Sequence, residues 1–167
     1  GYGGLLPSLR DKLGIDATQI AIMLFCAGVS AILAMQVGGR LADALGAREI
    51  TLAAIPLLIA GMITIGLAPS FAIAVIGVVL IGLGNGAMDV AMNAIGVQVE
   101  AARQRPIMSF FHAFWSIGTF IGAGAVLLLA TVLGLRGGAI VTPLSMLIAV
   151  AGLVVLGILF KITPKAA

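Results

Sequence analysis

Two stretches of the chain place polar side chains able to do chemistry inside otherwise apolar sequence. The first holds Asn85, Asp89 and Asn93. Their i, i+4, i+8 spacing puts all three on one face of a helix. The second holds Ser109, His112, Trp115, Ser116 and Thr119, and all but Trp115 fall near a common helical face. An aspartate flanked by amides suits binding of a hydroxylated solute, or the carriage of a proton. A histidine titrates near neutral pH and can pass protons on, or can hold a fixed hydrogen bond without changing charge. An indole stacks its face on a ligand ring while its N–H donates. On spacing alone each residue also fits plain helix-to-helix hydrogen bonding, and Phe110, Phe111 and Phe114 around His112 fit packing or lipid contact.

Other chemistries find little support. One His and one Cys leave no ligand set for a metal, and Cys26 lies in an apolar run where packing accounts for it. There is no second catalytic acid, and Ser109 and Ser116 lack a recognisable nucleophile turn. An enzyme is therefore not expected, and neither is a cofactor. The net charge of +3 comes from basic residues scattered between apolar runs. With no basic stripe, nucleic acid is not an expected partner.

The elements that position these groups follow from composition. Hydrophobic residues make up 62% of the chain and charged residues 9%, whereas soluble domains average about 25% charged. A chain of this length cannot hide so much apolar surface in a soluble core, so the lipid bilayer is the fitting solvent. A spanning helix needs about 20 mostly apolar residues. Charges and turn residues then predict an all-α, polytopic bundle with a partial helix at about 1–10 and spans at about 17–42, 49–67, 71–97, 106–133 and 140–160. Asp16 and Gln19 have the spacing of a capping box, Ala68-Pro69-Ser70 reads as a turn, and 100–105 as a polar loop. The chain opens on Gly1-Tyr2-Gly3-Gly4 without a Met, so further sequence is expected before it. Arg40, Arg48, Arg103, Arg105, Lys161 and Lys165 fall on one side of the membrane and Arg10, Lys12 and Arg136 on the other. The excess places the first set in the cytoplasm.

Depth singles out Asp89. It lies eleven residues from Glu100, roughly 16 Å along a helix and close to the middle of an apolar slab about 30 Å thick. Ionisable groups at that depth face a bundle interior or wet cavity and mark substrate or ion pathways. His112, by the same count from Arg105, is roughly 10 Å deep. If the two helices form an antiparallel hairpin, His112 shares a layer with Asn93, and Ser116 with Asp89. Polarity therefore predicts these two helices inside and those near 50–67 and 140–160 outside. Gly82 with Gly86, and Gly118 with Gly122, space small residues for close helix approach.

Gly39-x-x-x-Asp43-x-x-Gly46-x-Arg48, between the second and third helices, resembles the loop motif of the major facilitator superfamily, although Ala44 and Ala47 stand where the family usually has basic residues. Met88-Asp89-Val90-Ala91-Met92-Asn93 resembles the fourth helix of fucose permease-like members. Phe111-His112-x-x-Trp115-Ser116-x-Gly118 resembles the fifth helix of bacterial sugar-porter-like relatives. The chain departs from proton-coupled drug exporters, having no Arg between Phe71 and Val99 and no Gly-Pro pair in the fifth helix. The resemblance implies half of a twelve-helix fold, with solute binding between two six-helix lobes near the midplane. It implies that helices one, two, four and five line the cavity, and that this chain is the N-terminal lobe with the C-terminal lobe as its missing partner.

The expected function is that of a multi-pass secondary transporter of the cell inner (plasma) membrane. It would move a small polar, sugar-like solute by alternating access coupled to protons, with Asp89, Asn85, Asn93, His112, Trp115 and Ser116 on the pathway. A truncated, non-transporting membrane module or assembly subunit is the alternative reading.

Overall fold

The computed structural model describes residues 6–104, 108–132, 134, 142–143 and 146–148, without the side chains of 6–8, 103, 111, 115 and 130. Five helices follow in order: α1 (Leu6–Leu13), α2 (Ala17–Leu45), α3 (Ala47–Leu67), α4 (Phe71–Arg103) and α5 (Met108–Thr131). Strands are absent among the described residues. Helices α2 to α5 are each long and apolar enough to cross a membrane. The span expected at 140–160 lies outside the described residues except for 142–143 and 146–148, which are helical.

The helix starts obey local chemistry. Asp16 Oδ1 accepts from the Gln19 backbone N–H at 2.7 Å, and Gln19 Oε1 accepts from the Asp16 N–H at 3.1 Å. This reciprocal box satisfies two of the donors that a helix start leaves unpaired. Helix α3 ends at Leu67 and α4 begins at Phe71, on either side of the Ala68-Pro69-Ser70 turn.

The helix ends on the opposite side differ from the expected ones. Helix α2 runs to Leu45 rather than 42, and α4 to Arg103 rather than 97. A charged residue does not stop a helix; it only needs to reach water, so these helices continue past the apolar slab. At 1.5 Å per residue α4 is about 50 Å long. What stops them is backbone conformation. Gly46 takes φ +92°, and its N–H donates to Ala42 O at 2.9 Å. Gln104 takes φ +50°, the left-handed conformation of a helix cap.

Helix α4 is the centre of the bundle, with α2 and α3 packed along it. Small residues bring the three backbones together. A Cβ added to Gly86 would lie 2.2 Å from Ala31 O, and one added to Gly82 would lie 2.4 Å from Ala27 O, so both glycines face α2. On the α3 side, a Cβ on Gly61 would lie 2.8 Å from Gly77 O. A dry cluster of Met23, Ala27, Met62, Ile65, Ala74, Val78 and Ile81 fills the seams towards the 68–70 turn. The outward faces are apolar as well: Phe25 is 72% exposed and Phe120 82%. Such surface is unfavourable in water and matches acyl chains.

Among the described residues α3, expected outside, packs closely on α4, whereas α5, expected inside, is exposed over most of its length and joins the core through Val126 and Leu129. Helix association in lipid follows close backbone approach rather than residue polarity. The α5 glycines Gly118 and Gly124 have nothing within 4 Å of an added Cβ, so the close packing expected of Gly118 is not made among the described residues.

Candidate functional site

Helix α4 presents Asn85, Asp89 and Asn93, all half-buried. Asp89 follows Gly82 by seven residues and Asn93 follows Gly86 by seven. Two helical turns separate each pair, so the polar residues continue the row that meets α2 at the glycines. Beyond Gly86 the packing moves round α4. Gly38 approaches Ala87, with an added Cβ 3.6 Å from its Cα, and Ala47 and Ile50 gather on Ala87, Ala91, Ala94 and Ile95. The Asp89–Asn93 row is thereby left at the margin of the interface, partly open.

The polar atoms there lack partners. Among the described residues the Asp89 carboxylate makes no hydrogen bond and no ion pair. Asn93 Oδ1 is fully enclosed and likewise has no hydrogen-bond partner. Burying an unpaired amide oxygen costs on the order of 1–3 kcal/mol. A carboxylate beside amides that both donate and accept suits a polar ligand.

The structure does not bring the α5 candidates to this row. His112 and Ser116 are exposed, and Ser116 Oγ donates to the His112 backbone carbonyl at 2.9 Å within its own helix. Neither hydrogen-bonds to α4 among the described residues. Trp115 lies on α5, and its side chain is outside the described residues.

The motif residues sit at the α2–α3 junction. Gly39 and Asp43 lie within α2, Gly46 is the single residue between the helices, and Arg48 lies in the first turn of α3. Arg48 Nη1 pairs with Glu49 Oε1. Asp43 is exposed in the last turn of α2, and its carboxylate makes no hydrogen bond among the described residues. No group of three or more metal-ligating side chains occurs among the described residues.

Two tertiary fastenings were not visible in the spacing. Gly66 O, one of the carbonyls that the end of α3 leaves unpaired, accepts from Lys12 Nζ and from Thr142 Oγ1, both at 2.8 Å. Burial holds the Lys12 ammonium below the ordinary lysine pKa. Glu100 Oε1 accepts from the Met108 backbone N–H at 2.8 Å, so an acid of α4 caps the start of α5. The Glu100 position had signalled only a membrane boundary, because an eight-residue link between acid and helix start falls outside the short capping spacings.

The sequence matches the profile of the Major Facilitator Superfamily over residues 1–167. It is 35% identical to an uncharacterised transporter of Sinorhizobium fredii over 73% of this chain and 32% of that protein. It is 33% identical to an uncharacterised MFS-type transporter of Yersinia pestis over 75% of this chain and 33% of that one. A 29% identity links it to the Homo sapiens solute carrier family 2, facilitated glucose transporter member 10, over 71% of this chain and 22% of that protein. The chain thus spans about a third of the two bacterial relatives. No solved structure gives a significant match.

Proposed function

The chain belongs to the Major Facilitator Superfamily, and from that premise we propose that it forms the N-terminal six-helix lobe of a secondary active transporter of the inner (plasma) membrane. The transporter moves a small polar, sugar-like solute by alternating access and couples that movement to protons at Asp89. The observation that carries this reading is the half-buried Asp89 in the middle of a membrane helix, without a hydrogen-bond or ion-pair partner among the described residues, with Asn85 and Asn93 one turn to either side. An unpaired charge at that depth is costly unless water and cargo reach it. The amides supply acceptors and donors matched to hydroxyl groups. The likeness to a protein named as a facilitated glucose transporter supports a sugar-like cargo. His112, Trp115 and Ser116 are assigned to the same pathway on the second polar helix, and Gly39, Asp43, Gly46 and Arg48 to the cytoplasmic junction between α2 and α3.

The test is uptake of radiolabelled hexoses and hexitols by proteoliposomes of the full-length protein. Accumulation driven by an inward proton gradient and collapsed by a protonophore supports the reading. Binding or uptake indifferent to the gradient removes the proton from it.

A further inference from the structure

Between Ile50 and Val99 the only charged residue is Asp89. None of the chain's nine Lys and Arg residues falls in 17–39, 49–102 or 106–135, so the apolar stretches of α2 to α5 bring no cation to that carboxylate. Arg40, the one basic residue of α2, follows Gly38 by two positions. Gly38 backs onto Ala87 of α4, and two residues turn a helix by about 200°, which carries Arg40 away from α4. Arg40 is exposed and makes no ion pair with Asp89.

A half-buried carboxylate without a counter-ion among the described residues attracts a cation and repels an anion, and a low dielectric strengthens both effects. Asn85 and Asn93 stand one turn to either side, and each amide can donate to a hydroxyl and accept from one. Asn93 Oδ1 has no donor among the described residues, and an ammonium group carries three N–H donors. We infer that Asp89 sets the charge selectivity of the row: it takes an aminated, hydroxylated solute as its ammonium in preference to the uncharged parent, and it excludes the parent's carboxylate and phosphate derivatives. The inference rests on the reading of the Asp89 row as the solute site and narrows the preferred cargo to amino sugars. Hydroxyls can be served by the two amides alone, but they leave the carboxylate without a counter-charge. An anionic solute adds like-charge repulsion, which discriminates strongly.

The experiment is competition for solute exchange by the full-length protein in proteoliposomes, with a protonophore present so that selection is read apart from coupling. Both sides are held at about pH 6.5, where an amine is protonated and a uronate ionised. The probes are glucose, glucosamine and glucuronate, and the matching galactose and mannose series. In the unaltered protein the hexosamine should compete at about tenfold lower concentration than its hexose, and the hexuronate at about tenfold higher or not at all. Asp89→Asn, alike in size but uncharged, should bring the members of a series within about threefold of one another, while Asp89→Glu keeps their order. A merely structural role for Asp89 would shift all members alike and leave their ratios in place. Should the Asn variant fail to fold or to exchange, calorimetric binding of the same probes to Asp89→Ser reads the same ratios. A hexose that competes as well as its hexosamine in the unaltered protein overturns the inference, as does a charge order that survives in Asp89→Asn. Failures are separable: charge-ordered competition with uptake indifferent to a proton gradient overturns the coupling alone, whereas no competition by any probe overturns the sugar-like cargo and this inference together.

Discussion

Gly86 lies so close to Ala31 that a Cβ on the glycine would fall 2.2 Å from the Ala31 carbonyl oxygen. This contact sets the distance between α2 and α4, and with it the margin at which Asp89 and Asn93 stand. The obstructing atom is backbone, so no rotamer change relieves it. Gly86→Ala is expected to force the helices apart and to destabilise the protein by about 1–3 kcal/mol, as overpacking does. Thermal unfolding in detergent checks this. The same loss is expected for Gly82→Ala, whose added Cβ would meet Ala27 O.

The turn between α2 and α3 is a single residue. Gly46 holds φ +92°, a conformation that L side chains rarely adopt. Space is not the constraint, since an added Cβ meets nothing within 4 Å. Gly46→Ala is therefore expected to act through backbone strain alone, costing on the order of 1–3 kcal/mol. A lowered melting temperature with unchanged helical content by circular dichroism is the expected result.

Asp16 caps α2 through a reciprocal bond with Gln19. Asp16→Ala is expected to cost about 1 kcal/mol, while Asp16→Asn or Asp16→Ser keeps an accepting oxygen and loses far less. Hydrogen exchange in the first turn of α2 should quicken in the Ala variant only.

The Gly66 carbonyl has two donors, Lys12 and Thr142. Either Lys12→Met or Thr142→Val alone leaves it satisfied, so each is expected to cost about 1 kcal/mol or less. Together they leave a helix-end carbonyl without these partners, and the double variant should lose more than the sum of the singles. A double-mutant cycle on thermal stability reads this directly.

What was legible in the sequence was local. The Asp16–Gln19 box and the Ala68-Pro69-Ser70 turn fix α2's start and the α3–α4 junction through residues a few positions apart. The ends of α2 and α4 were misplaced because Arg40 and Glu100 show where water begins, not where a helix stops; the positive φ at Gly46 and Gln104 does that. The polar face of Asn85, Asp89 and Asn93 could be read from spacing, since one helix defines it. The neighbours of that face could not. Polarity shows which groups avoid lipid, but close approach at Gly61, Gly77, Gly82 and Gly86 decides which helix lies beside α4. Lys12 and Thr142 meet on Gly66 across 54 and 76 residues, a separation at which no spacing rule operates.

The most direct test of the transport account is a paired assay of Asp89→Asn in proteoliposomes, since the amide keeps the side chain's size but cannot gain or lose a proton. Gradient-driven accumulation of solute should fall to background, while exchange of labelled for unlabelled solute at equal concentration, which needs no net proton movement, should persist. Accumulation at the level of the unaltered protein would contradict the account.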